Sequence, residues 1–198
     1  MKIAGLLLAA GQSSRMGQPK QLLIWQGQPL VARIAQQALA SQLVDLTVVV
    51  GAHEEQVREA LRELPLTIVT NPDYRAGLGT SLAAGLRALP SERDAAMILL
   101  VDQPLITTRL INELVAAYRT RPDAAALIPV YQGQRGNPVI IAAALFAELQ
   151  TLRNDTGARA VFHRYTDRII WYEVNDPAVI IDVDTPEAWQ ALNHQASE

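Results

Sequence analysis

The constraint that weighs most on this chain is the rhythm of its apolar segments. Eight runs recur along it: "IAGLLLA" (3–9), "DLTVVVGA" (45–52), "LTIVTN" (66–71), "AAMILLVD" (95–102), "AALIPV" (125–130), "NPVIIA" (137–142), "RIIWYEV" (168–174) and "VIIDVD" (179–184). Most are continuous rather than alternating, the pattern of strands covered on both faces. Between them lie amphipathic stretches at 29–41, 53–64, 79–89, 107–119 and 185–194. In 107–119, Leu110, Leu114 and Ala117 repeat at the spacing of one helix face. Strand and helix in alternation dictate an α/β fold: one Rossmann-like domain with a mostly parallel sheet flanked by helices. The last third is richer in strand-like runs, so an antiparallel element is expected there. The domain is expected to span 1–190, with 191–198 a loose C-terminal tail. Such sheets bind ligands at the carboxyl ends of their strands, so the residues after each strand are the candidates for function.

Composition removes several classes. The chain has 198 residues and no cysteine, which suits one domain and excludes disulfides, thiolate metal sites and cysteine nucleophiles. A net charge of -3 without a long basic run argues against a nucleic-acid binder. No apolar run reaches the roughly 18 residues that span a bilayer. The opening "KIAGLLLAAGQSSRMGQPKQLL" sets one lysine before a short apolar core, as a secretory signal does. Cleavage there would remove the first strand. The expectation is therefore a strand and its loop in a cytoplasmic protein, with no membrane and no nucleic-acid partner.

The loop itself carries chemistry. Gly11 and Gly17 allow sharp turns and close approach to a ligand. Ser13 and Ser14 offer hydroxyls, Arg15 a guanidinium fork that matches phosphate oxygens, and Lys20 a point charge. A glycine turn with solvated Arg and Lys explains the same residues. The loop is neither a Walker A motif nor G-x-G-x-x-G. Asp102 ends the run "AAMILLV" and reads either as a turn residue of "DQP" or as a metal ligand. Asp182 and Asp184 stand two apart in a strand-like run and so share a face. "DTP" also reads as a helix start, with Asp184 or Thr185 as cap and Pro186 in the first turn. "GLGTSL" reads as a helix start capped by Thr80 or Ser81. His53, His163 and His194 lack ligand spacing.

The stretch "LAAGQSSRMGQPK" resembles the signature of the MobA-like nucleotidyltransferases, L-A-[AG]-G-x-S-x-R-M-G-x-x-K. "NPDYRAGLGTSLAAGL" (71–86), "VDQPLIT" (101–107), "RGNPVI" (135–140), "NDTGARAVF" (154–162) and "DVDTPEAW" (182–189) continue the resemblance in the family's order. It is strongest to the branch that cytidylylates the molybdenum cofactor. It implies transfer of CMP from CTP to the phosphate of a molybdopterin-type cofactor, with Mg²⁺ bound and pyrophosphate released. It implies Arg15, Lys20 and Asp102 as catalytic residues, and Asp102 with Asp184, or Asp182 second, as metal ligands. Leu8, Ala9, Ala10, Gly11, Ser13, Gly79, Thr80 and Ser81 would hold the nucleotide. Arg135, Gly136, Asn137, Asp155 and Arg159 would face a phosphorylated pterin acceptor, and a molybdoenzyme would receive the product.

Three departures matter. "RGNP" stands for the commoner R-G-H-P, so Asn137 hydrogen-bonds but does not titrate near neutrality. "NDTGAR" varies from G-D-x-G-A-R. "LAAG" replaces the L-A-G-G of the guanylyl branch, and the Ala10 methyl favours a smaller base. An acceptor phosphate is already an anionic nucleophile, so no strong base is needed. The reaction needs charge neutralisation and in-line positioning. The alternatives are guanylyl or other nucleotidyl transfer to a different small phosphate, and a non-catalytic nucleotide- or cofactor-binding delivery protein.

Overall fold

Strand β1 (Ile3–Leu8) is buried at every position because two layers cover it. Ile3 and Leu7 enter one apolar cluster and Ala4, Leu6 and Leu8 the other. That two-sided burial is why its run is continuous. The structure, a computed structural model, describes residues 1–14, 16–151 and 159–195; of Arg159, Ala160 and Gln195 it gives the backbone alone.

After β1 come the short strands β2 (Ile24–Trp25) and β3 (Gln28–Pro29), which pair as a hairpin, and helix α1 (Leu30–Leu39). Then follow β4 (Leu46–Val50), α2 (Glu54–Leu61), β5 (Thr67–Thr70), α3 (Leu78–Ala88), β6 (Ala95–Leu100) and α4 (Thr108–Arg119). The last part holds β7 (Ala126–Tyr131), β8 (Gln134–Arg135), β9 (Val139–Ala142), α5 (Phe146–Leu149), α6 (Arg159–Phe162), β10 (Ile169–Glu173) and α7 (Pro186–Gln195).

The sheet runs β10-β7-β9-β6-β1-β4-β5, with β8 on β7. β1 pairs in parallel with β4 and β6, β4 with β5, and β10 with β7. β9 is antiparallel to both β6 and β7, and β8 to β7. The fold is thus the mostly parallel α/β sheet that the alternation implies, with its antiparallel element in the C-terminal third. In α4, Leu110 and Leu114 are fully buried and Ala117 partly so, as their spacing requires.

α3 lies unusually close to the sheet. A Cβ at Gly85 would stand 2.4 Å from Leu6 Cδ1 and 2.8 Å from Val49 Cγ2. This close approach brings the start of α3 against the carboxyl end of β1.

Two expectations are corrected. The run 179–184 is not a strand. Pro177–Ile180 is a 3-10 turn begun by Asp176, whose carboxylate accepts from the Ala178 N–H at 3.1 Å. Residues 181–184 have no regular structure. The Val179 carbonyl accepts instead from the Asn137 N–H (2.9 Å) and the Gln103 side-chain amide (3.3 Å), so this segment crosses the sheet's end rather than joining it. Residues 191–195, read as a loose end, are helical, and Leu192 is buried with Met16, Leu23, Trp25, Leu30 and Val183. That small cluster fastens the loop after β1 to α7.

Candidate active site

Adjacent strands place their ends about 4.8 Å apart, so the pairing of β1 with β6 brings their two following loops together. Between these loops and the start of α3 opens a cleft of about 380 Å³. Leu8, Ala10, Gly11, Ser13, Ser81, Lys20 and Asp102, seven of the residues singled out in the sequence, line it.

The centre of the cleft is ionic. Lys20 Nζ donates to Asp102 Oδ2 at 2.9 Å and to Asp184 Oδ1 at 2.5 Å. The Lys20 side chain is only 14% exposed. Burial alone would lower its pKa, but the Asp102 charge and hydrogen bonds to Asp184 and Asp102 outweigh it and hold the ammonium above its ordinary value. Asp184 reaches this point because the Val183 N–H donates to the Asp102 carbonyl at 2.8 Å. The start of α7 is served by Thr185, whose Oγ1 accepts from the Ala188 N–H at 3.3 Å. Asp184 is therefore turned toward Lys20 while its neighbour meets the helix. Asp182 is exposed, and without a strand there is no pleat to align the two carboxylates.

Asp102 Oδ1 is buried and has no hydrogen-bond partner among the described residues. An orphaned carboxylate oxygen costs about 1–3 kcal/mol, more when charged. One oxygen on a lysine, one unpaired oxygen and a second carboxylate beside them form the donor set that suits a hard divalent cation. Mg²⁺ is held by one or two carboxylates together with substrate phosphates. Among the described residues no group of three or more acidic or histidine side chains could hold a metal alone. The residues thus fit a metal that arrives with a nucleotide.

The loop is held by a residue that belongs to none of the sequence motifs. Gln21 is 1% exposed. Its amide donates to the carbonyls of Ala9 (2.9 Å) and Gly11 (2.6 Å), and its oxygen accepts from Ser13 Oγ at 3.3 Å. Ser13 Oγ in turn accepts from the Lys20 N–H at 3.0 Å. Ala9 is buried and its N–H donates to the Val49 carbonyl. Arg15 lies outside the described residues, so its side chain has no assigned place.

On the other wall, buried Asn71 donates from its amide to Thr80 Oγ1 and Ser81 Oγ, both at 3.0 Å. α3 begins at Leu78, capped by Gly77 without a side-chain bond. The expected capping by Thr80 or Ser81 is corrected: Thr80 Oγ1 donates back toward the Gly77 and Asp73 carbonyls. Gly77 has a φ of 115° and Tyr74 packs against Gly51, where a Cβ would stand 2.7 Å from Tyr74 Cβ. Gly79 is buried inside the helix.

The acceptor candidates divide. The buried Gly136 abuts Val179: a Cβ there would stand 2.4 Å from the Val179 carbonyl oxygen. Asn137 N–H and Gln103 meet at that same carbonyl, which ties the 135–137 turn to the loop that carries Asp102. Arg135 is exposed and lies over the Trp171 ring, 4.3 Å from its centroid. Asp155 lies outside the described residues, as does the side chain of Arg159.

The sequence matches the MobA-like NTP transferase domain over residues 5–169. The chain belongs to this family. It is 30% identical over 196 residues to the nicotine blue oxidoreductase of Paenarthrobacter nicotinovorans, covering 96% of each chain. It is 27% identical to the molybdenum cofactor cytidylyltransferase of Escherichia coli, covering 98% of this chain and 96% of the other. Identity is also 27% to the molybdenum cofactor guanylyltransferase of Xanthomonas euvesicatoria, covering 96% and 94%. Among solved structures, Rv0371c of Mycobacterium tuberculosis superposes with a TM-score of 0.87 at 24% identity over 98% of each chain. Its manganese complex superposes at 0.82 over 98% of this chain and 99% of that one. This MobA-like chain is thus a nucleotidyltransferase-family enzyme, and no described helix is long and apolar enough to cross a membrane.

Proposed function

We propose that this protein transfers CMP from CTP to the phosphate of a molybdopterin-type acceptor, releasing pyrophosphate in the cytoplasm in a Mg²⁺-dependent reaction. The observation that carries the reading is the Lys20–Asp102–Asp184 constellation at the ends of β1 and β6, with one Asp102 oxygen buried and unpartnered among the described residues. Asp102 and Asp184 would hold the cation. When bound, it supplies charge neutralisation to the phosphate oxygens. A solved relative bears manganese, which supports a divalent ion.

The chain's own residues do the rest. Lys20 and Arg15 balance the triphosphate and stabilise the charge that grows on the leaving pyrophosphate. Gln21 and Ser13 fix the loop that presents them. Leu8 and Ala10 floor the cleft where the base would lie, and Ser81 with the start of α3 forms its wall. Ala10 lines this floor, and its methyl would narrow the space left for a purine. Arg135 and Asn137 would face the acceptor from the turn that Gly136 packs against Val179; Asn137's side-chain amide has no partner among the described residues. No side chain need act as base, since the attacking phosphate is already ionised.

Relatives carrying cytidylyltransferase, guanylyltransferase and oxidoreductase names span this chain almost end to end. One fold therefore hosts several outcomes, and the site rather than the fold must distinguish them. The test is pyrophosphate release by the purified protein, each NTP being offered with molybdopterin-type and other phosphate acceptors. Release that requires CTP, a divalent ion and the molybdopterin acceptor is expected. Preference for GTP would overturn the cytidylyl assignment, and no release with any pair would overturn nucleotidyl transfer.

A further inference from the structure

Among the described residues five large apolar side chains are exposed, and Trp171, at 42%, is the one aromatic ring among them. Its place in the sheet is informative. It pairs with Ile128 across β10 and β7, and Val139 of the neighbouring β9 pairs with Ile98 of β6, which pairs with Leu6. Ile128, Ile98 and Leu6 belong to the layer beneath α3 and α5. Trp171 therefore lies on the sheet face that bears the cleft, whose floor is formed two residues further on by Leu8 and Leu100. β10 is separated from β6 by β7 and β9. Three strand spacings put Trp171 roughly 14 Å to the side of Ile98.

The guanidinium of Arg135 lies over the indole at 4.3 Å from its centroid. Its N–H donors have no hydrogen-bond partner among the described residues. Arg135 pairs with Val130, two residues beyond Ile128, so the stack rises at the carboxyl end of the parallel strands, the end where Asp102 stands. Between the two points, the 135–137 turn is tied through Val179 to Gln103, the residue after Asp102. Two flat groups, stacked, exposed and rich in unused donors, make a platform for a planar ring with anionic or carbonyl edges.

We propose that Trp171, with Arg135 above it, is the specificity platform for the distal end of the acceptor: a planar heteroaromatic ring joined by an extended stem to the phosphate that reaches Asp102 and Lys20. The inference rests on the nucleotidyl-transfer reading for the position of that phosphate. Trp171 is then a binding and specificity residue and takes no part in the chemical step.

The test uses the full chain in two measurements. In the pyrophosphate assay with CTP and molybdopterin, Trp171→Leu should raise the acceptor KM about tenfold, since aromatic stacking of a ring is worth that order by truncation. The KM for CTP should stay within twofold, and Trp171→Phe should keep most of the acceptor affinity. Separately, saturation-transfer NMR with 6-hydroxymethylpterin, which lacks the phosphate, should detect binding of the ring to wild type and no binding to Trp171→Leu. A Trp171→Leu enzyme with unchanged acceptor KM would overturn the platform and leave the transferase reading standing. Pterin binding that disappears on substitution, in a protein that turns over no nucleotide, would keep the platform and sink the transferase reading. Absence of both turnover and pterin binding would overturn both.

Discussion

Gln21 offers the sharpest test of how the site is built. Its amide satisfies the Ala9 and Gly11 carbonyls, and its oxygen receives Ser13 Oγ. Replacing it with leucine keeps the bulk and removes all three bonds. Gly11 is exposed, so water can replace the missing donor there; Ala9 is fully buried, so its carbonyl is deprived of its side-chain partner. An unsatisfied buried acceptor costs about 1–3 kcal/mol. For a chain of this size each kcal/mol moves the melting temperature by about 2–4 °C, so Gln21→Leu should melt roughly 2–12 °C lower. Gln21→Glu should fall further, because a buried carboxylate would face two carbonyl oxygens and donate to neither. The kinetic effect should exceed the thermal one. With Ser13 released, the Lys20 N–H loses its anchor, and the ammonium is no longer held on Asp102 and Asp184. Loss of about 1.4 kcal/mol of transition-state positioning is a tenfold fall in kcat/KM. Pyrophosphate release measured in the cold, well below either melting point, separates the two effects. A Gln21→Leu enzyme with wild-type melting temperature and wild-type kcat/KM would refute the latch.

Asp102→Asn should melt like wild type yet lose at least about a hundredfold in turnover, because a neutral amide replaces a metal-binding carboxylate; near-normal turnover at saturating Mg²⁺ would remove Asp102 from the site. Lys20→Met should tighten Mn²⁺ binding in the absence of nucleotide, measured by paramagnetic relaxation, because the ammonium now sits between the two carboxylates; turnover should nevertheless fall. Since the Lys20 pKa is raised in the fold, its ion pairs contribute fully below its unfolded value of 10.5 and are lost only as pH climbs past the higher folded value. The stability difference between Lys20→Met and wild type should therefore be flat from about pH 7 to 9, as urea titrations at several pH values would reveal. Ala10→Gly should relax the preference for CTP over GTP without inverting it, since one methyl discriminates by roughly 1–3 kcal/mol; an unchanged ratio in a competition assay would place base selection elsewhere.

What was legible in the sequence follows from what each feature depends on. β1 and β6 could be read because burial on both faces demands an unbroken apolar run, and the run is visible without knowing any neighbour. The segment 179–184 has the same look, but its fate depends on distant partners. Asn137 and Gln103 both claim the Val179 carbonyl, and Asp176 starts a turn, so no strand forms. Trp171 was hidden inside an apolar run, and only the register across four strands reveals which face it occupies. Gln21 left no mark at all: nothing in "PKQLL" shows where an amide will land.

The carboxylates mark the boundary between the two kinds of information. That Asp102 and the loop of Lys20 would meet follows from one topological fact, the pairing of β1 with β6, which alternation makes reasonable but does not require. That Asp184 rather than Asp182 meets Lys20 follows from two local bonds, Val183 N–H to the Asp102 carbonyl and Ala188 N–H to Thr185 Oγ1. The first fixes how near the crossing segment comes, and the second meets the helix's need for a cap. Both candidates are aspartates, and they stand two residues apart. The one that reaches Lys20, 164 residues away, does so because its neighbour is a threonine that can cap in its place. Removing that hydroxyl with Thr185→Val should therefore draw Asp184 toward the helix start and lower kcat/KM without altering any residue placed against substrate. A Thr185→Val enzyme with wild-type kcat/KM and wild-type Mn²⁺ affinity would show that Asp184 holds its place unaided.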